Sequence, residues 1–147
     1  MKARGFTLIE LAVVLFILGL AAAVVVPSVG RGTEALRARA EVAGFSAFLR
    51  YAREQAVTRR EIQEVRVDPQ AHLVVLTATG NGKVRASRRL SETLRIEASP
   101  PAALTVRFLP QGLSSGATFR IEARGRRVFV VTVDPLTGRV AQRRGET

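Results

Sequence analysis

Gly112-Leu113-Ser114-Ser115-Gly116 has the G-x-S-x-G spacing that presents a serine hydroxyl as a nucleophile on a sharp strand-to-helix turn. That chemistry also needs a histidine later in the chain. The only histidine, His72, lies upstream, and a β-like segment comes after Gly116. The stretch therefore reads as a glycine-serine loop between strands. Gly80-Asn81-Gly82-Lys83 shares residues with a phosphate loop but lacks the upstream glycine and the downstream Ser or Thr. His72 stands in an apolar run with no Cys or His spaced to join it on a metal. Glu61 and Glu64 fall at a helix-strand junction as solvated charges, and Asp134 is one carboxylate where Ca²⁺ asks for about six to eight oxygens. These residues predict no catalytic site, no metal site and no cofactor.

Glu10 is the carboxylate that demands an explanation. It lies near the start of an apolar run from Phe6 to Val26 in which only Thr7 and Glu10 are strongly polar. At about 1.5 Å per residue this run makes a helix of about 31 Å, enough for a bilayer core of about 30 Å. An ionised group at the centre of such a helix costs roughly 2.5–3.5 kcal/mol, so an intramembrane acid points to function. Glu10 sits nearer one end, where snorkelling lowers the cost, but it still needs a partner.

The elements that would position these residues are bounded by composition. The chain has 147 residues and no cysteine, so no disulfide staples it, and the residues beyond the apolar run suffice for one modest domain. Its net charge of +11 comes mainly from arginine, with lysine only at Lys2 and Lys83. Such a balance invites an acidic partner such as nucleic acid, but the favoured reading is arginines dispersed over solvated faces. Beyond Gly30-Arg31-Gly32, apolar residues at Val42, Phe45, Leu49, Ala52 and Ala56 keep the 3-4 spacing of a buried helical face. Phe48 and Tyr51 widen that face, and Arg39, Arg50, Arg53, Glu54 and Arg60 lie opposite, predicting an amphipathic helix over about 33–60. Pro27 interrupts the ladder and should kink the helix.

From Ile62 the rhythm changes to short strands and turns. Strands are expected at 64–67, 72–77, 83–89, 93–98, 104–108, 118–122 and 128–133, with Arg139-Val140 after a final turn. Gly80-Asn81-Gly82 and Arg124-Gly125-Arg126 supply hairpin turns. One long helix before seven or eight strands predicts an α+β fold: a helix packed on an antiparallel β-sandwich.

The N-terminus allows several accounts. As a signal peptide its apolar run is too long, and Ala21-Ala22-Ala23 lies inside the run rather than after it. As a plain anchor it leaves Glu10 unexplained, and the flanking Lys2, Arg4, Arg31, Arg37 and Arg39 do not fix orientation. Gly5-Phe6-Thr7-Leu8-Ile9-Glu10-Leu11, behind the basic leader Met1-Lys2-Ala3-Arg4, resembles the class III signal of type IV pilins and type II secretion pseudopilins. Farther on, Phe108-Leu109-Pro110-Gln111-Gly112-Leu113-Ser114-Ser115-Gly116 and Asp134-Pro135-Leu136-Thr137-Gly138-Arg139-Val140 resemble the C-terminal part of the GspH/FimT family of type IV pilin-like proteins.

The resemblance implies a leader at 1–5, a transmembrane assembly helix at 6–29 and a periplasmic pilin-like domain at 30–147. It implies cleavage between Gly5 and Phe6 by a prepilin peptidase, which removes Lys2 and Arg4 and takes the net charge from +11 to +9. It further implies N-methylation of Phe6, in a single-pass protein of the bacterial inner membrane. Glu10 would then pair with the Phe6 ammonium of a neighbouring subunit, two costly charges offsetting one another and fixing register. A carboxylate serving its own helix N-terminus is the alternative, favourable by about 0.3–1 kcal/mol. The implied function is a structural subunit of the type II secretion pseudopilus, at or near its tip. Its partners would be the prepilin peptidase, other minor and major pseudopilins and the inner-membrane assembly platform. The alternative is a FimT-type minor pilin binding DNA for natural transformation. In that case Arg139, Arg143 and Arg144 of the C-terminal tail, with Arg124, Arg126 and Arg127 of the adjacent hairpin, would contact phosphates. No aromatic residue interleaves with them for base stacking.

Overall fold

The 3-4 apolar spacing folds as predicted, but within a longer element: the computed structural model carries one helix, α1, over Leu8–Arg59. The structure describes residues 7–124 and 127–145, with the side chains of 24–32 and Ala103 outside the description. Two compact units divide the chain, 1–37 and 38–147. Helical assignment runs through Pro27, a residue whose side chain is among those not described.

In the second unit Ala38, Val42, Phe45, Leu49, Ala52 and Ala56 of α1 are buried. Phe48 packs against the core from its margin, whereas Tyr51, expected on the buried face, is exposed. Each strand of the predicted series appears: β1 (Gln63–Asp68), β2 (Leu73–Ala78), β3 (Val84–Arg89), β4 (Leu94–Ser99), β5 (Thr105–Phe108), β6 (Ala117–Ala123), β7 (Arg127–Val133) and β8 (Val140–Arg144). They form two antiparallel sheets, ordered β3-β2-β1-β5 and β4-β6-β7-β8. Alternation buries Val65 and Val67 of β1, and Phe119 and Ile121 of β6, beneath polar outer faces.

The inward faces of both sheets and α1 close on one core. Phe45 of α1 meets Phe119 of β6 edge to face, with ring centroids 5.1 Å apart, and truncating either to alanine would cost about 3–5 kcal/mol. The fold is therefore the expected α+β arrangement of a long helix on antiparallel sheets.

β8 is longer than the Arg139-Val140 signal suggested. Its register, Phe129↔Arg144 through Val133↔Val140, makes the expected tail a fully paired edge strand. Glu61 and Glu64 are also less free than the sequence implied. Glu61 pairs with Arg85 at 3.1 Å, and Glu64 with Arg66 and Arg107 at 3.3 and 3.1 Å.

Candidate functional site

The first turn of α1 shows how the sequence starts the assembly helix. Gly5 and Phe6 lie outside the described residues, and the helix opens directly after Thr7. The Glu10 backbone N–H donates to the Thr7 carbonyl at 3.1 Å and to the Thr7 hydroxyl at 3.3 Å, so Thr7 caps the first turn with both oxygens. Thr7-x-x-Glu10 thus has the spacing of a capping box, a local signal that the membrane-helix reading of the sequence left unused. Glu10 itself is exposed, and among the described residues nothing bonds its carboxylate. It stands in the first turn, where a negative charge is favoured by the helix dipole.

Behind it the apolar side chains face outward: Leu8 is 88% exposed, Phe16 69% and Leu18 59%. Side chains at 7–23 are all exposed. Burying a large apolar side chain is worth about 1.5–3 kcal/mol, so this surface calls for lipid or for neighbouring helices. Among the described residues no helix is long and apolar enough to cross a membrane. The part of the run whose side chains are described, 7–23, is shorter than the about 20 residues a crossing takes. The crossing expected over 6–29 is thus not met by the described residues alone.

The two C-terminal motifs come together as one locked pair of loops. Asp134 Oδ1 accepts from the backbone N–H of Leu136 (3.0 Å) and Thr137 (2.8 Å) and from the Thr137 hydroxyl (2.9 Å). The Thr137 N–H and hydroxyl, then the Leu136 N–H and the Arg139 charge, hold the Asp134 carboxyl below the usual range, with desolvation opposing them. That carboxylate is committed to its own turn. Ser114, the candidate nucleophile, is buried; its Oγ donates to the Asp134 carbonyl at 2.9 Å and accepts from the Gly116 N–H at 3.0 Å. It is a clasp between the loops. Gly138 adopts φ +61° and packs its α-carbon against the Gly112 carbonyl. Arg53, expected on the solvent face of α1, donates instead to the Thr137 carbonyl at 3.0 Å. Sequence reasoning missed this brace because it joins residues 84 positions apart.

The arginines proposed as one phosphate-contacting patch are separated. Strand alternation sends Arg143, opposite Val130, and Arg144, opposite Phe129, to opposite faces of their sheet. Arg139 lies at the far end of β8, its carbonyl accepting from the Asp134 N–H at 2.9 Å. Arg124 and Arg127 stand at the β6-β7 hairpin, the end where Arg144 also lies. Arg126 falls outside the described residues.

Comparison with known proteins draws these observations together. A prokaryotic N-terminal methylation motif matches residues 1–26, and the model of type II transport protein GspH matches residues 41–137. The chain belongs to the GspH family. The family is one of type II transport proteins, and in this chain a methylation motif precedes its domain. Among solved structures, the type IV minor pilin FimU of Pseudomonas aeruginosa is similar in fold, with a TM-score of 0.64 at 19% identity, covering 78% of this chain and 97% of that one. The minor pseudopilin EpsH from the type 2 secretion system of Vibrio cholerae gives a TM-score of 0.59 at 18% identity, covering 77% and 98%. No curated protein sequence matches. The family match takes in the core helix from Glu41, all strands to β7 and the Asp134 turn.

Proposed function

We propose that the chain is cut between Gly5 and Phe6 by a prepilin peptidase, methylated on Phe6 and held in the bacterial inner membrane by residues 6–29. Its C-terminal domain then lies in the periplasm. The protein works as a structural subunit at or near the tip of the pseudopilus, aiding protein export across the outer membrane. The observation that carries this reading is the union, in one chain, of the methylation motif with a GspH domain. The outward-facing apolar side chains behind Thr7 support it, because they are the surface that lipid first and neighbouring helices later would cover. Glu10, in the first turn and unpartnered among the described residues, would pair with the Phe6 ammonium of another subunit, and its free carboxylate supports that reading. Pro27 would let the helix bend as subunits pack.

Co-purification with the other minor and major pseudopilins and the assembly platform tests this. Glu10→Ala should be cleaved normally yet recovered poorly with its partners; recovery equal to the wild type would sink the assembly role of Glu10. The FimT-like reading, DNA binding for natural transformation, draws on Arg124, Arg127, Arg143 and Arg144 at one sheet end, without Arg139. A salt-dependent shift assay addresses it, since each phosphate contact steepens the salt slope by about 0.7–0.9.

A further inference from the structure

The end of the domain at which the polypeptide enters is edged with arginine. Two contacts set the direction of β8 against α1: Arg53 Nε to the Thr137 carbonyl at 3.0 Å, and Ser46 Oγ to Gln142 Oε1 at 3.4 Å. The strand therefore advances as the helix is followed back toward its N-terminus. Two further strand residues, at about 3.3 Å each against about 1.5 Å per helical residue, bring Arg144 level with about Val42. Arg127 lies two residues beyond the Phe129↔Arg144 pair, level with about Ala38, and Arg124 lies farther out in the hairpin. This second unit begins at Ala38, next to exposed Arg39.

Arg39, Arg124, Arg143 and Arg144 are exposed and Arg127 half-buried, and among the described residues none of the five forms an ion pair. The neighbouring carboxylates Glu41 and Glu122 are already engaged, by Arg88 and Arg120. Among the described residues exposed Glu92 is the carboxylate left beside the hairpin, and Glu146 follows Arg144 by two residues in the sequence.

We propose that this end of the domain docks on anionic phospholipid headgroups, with Arg39, Arg124, Arg127, Arg143 and Arg144 holding the unassembled subunit on the membrane that anchors it. The proposal rests on the reading that residues 6–29 are embedded. Its position favours lipid over nucleic acid. The arginines flank the point of entry from the membrane-side segment, and a flat anionic surface is met by edge arginines on both faces of β8 at once. Nucleic acid would require a continuous track on one face. Each arginine near an anionic surface contributes about a fivefold preference, so five such groups outweigh the two opposing carboxylates, Glu92 and Glu146. Incorporation into the filament would trade these contacts for subunit contacts.

The chain contains no cysteine, so a single label can be placed uniquely, at Thr93→Cys beside the β6-β7 hairpin or at Asn81→Cys in the β2-β3 turn. Full-length protein is reconstituted in vesicles of phosphatidylcholine, with or without phosphatidylglycerol, carrying a headgroup-attached quencher. The expected result is quenching at Thr93→Cys beyond that at Asn81→Cys, only with phosphatidylglycerol present. It should fade as added salt shortens the Debye length from about 8 Å to about 3 Å. Arg143→Gln with Arg144→Gln, at unchanged melting temperature, should lower the docked-to-undocked ratio about 25-fold. Equal quenching in phosphatidylcholine alone overturns the proposal, as does none with phosphatidylglycerol while the chain resists alkaline extraction. Loss of the chain in alkali instead refutes the embedded segment, and the docking falls with it. Duplex DNA that binds these arginines and displaces the domain from the vesicles would reassign the surface to nucleic acid.

Discussion

Gly138→Ala tests the locked loop pair, because three glycines of this fold separate the contributions to its cost. Gly80 has an ordinary backbone, and a β-carbon there meets nothing within 4 Å, so Gly80→Ala should change stability by less than about 0.5 kcal/mol. Gly82 has φ +65° but open space around it. Gly82→Ala should therefore lose about 1–2 kcal/mol for the left-handed backbone alone. Gly138 combines φ +61° with a β-carbon driven into the Gly112 carbonyl and to 2.9 Å from Arg53 Nε. The carbonyl belongs to backbone and cannot swing aside, so overpacking adds about 1–3 kcal/mol to the backbone cost. The total, about 2–5 kcal/mol, is a large share of the roughly 5–15 kcal/mol typical of a domain. At about 4–8 °C per kcal/mol for a domain near 100 residues, the melting temperature should fall by at least about 8 °C. Calorimetric melting of the full chain in detergent gives the three values side by side. Gly138→Ala within about 0.5 kcal/mol of Gly82→Ala would refute the close approach of the loops.

Two further positions have outcomes set by their surroundings. Gln63, the first residue of β1, is fully buried, and among the described residues neither its Nε2 nor its Oε1 has a hydrogen-bond partner. Gln63→Leu should raise stability by about 1–3 kcal/mol, and a lower melting temperature would contradict this. Asp134 has its carboxyl held below the usual value when folded. Its contribution is therefore full above the unfolded carboxylate pKa and disappears as pH falls through the folded one. The melting-temperature gap between wild type and Asp134→Asn should accordingly be widest near neutrality and shrink in acid; a pH-independent gap would remove the carboxylate's role in the turn.

Local periodicity decides which parts of the fold are legible in the sequence. Val42, Phe45, Leu49, Ala52 and Ala56 can be read because a helix meets one core along one stripe. The strands β1, β6 and β7 can be read because one face is buried and the other is not. β8 is legible only at its first residue. As an edge strand of mostly exposed residues ending in Gln142-Arg143-Arg144, it carries no hydrophobic alternation. Linear proximity groups Arg139 with Arg143 and Arg144, whereas strand length and alternation part them. Arg53, Ser114 and Gly138 acquire their roles only when α1, the 110–116 loop and the Asp134 turn meet, an event no local pattern encodes. The N-terminal motif behaves differently: Thr7 and Glu10 work within one helical turn, so their spacing is enough.

The central claim is that this GspH-family chain serves protein export as a subunit of the pseudopilus. The measurement that tests it most directly is secretion by the native host after the chain is deleted and then restored as wild type or as Glu10→Ala. The account predicts that type II substrates accumulate in the periplasm on deletion, that the wild type restores export, and that Glu10→Ala restores little while DNA uptake is unaffected. Unchanged export with a loss of transformation would contradict it.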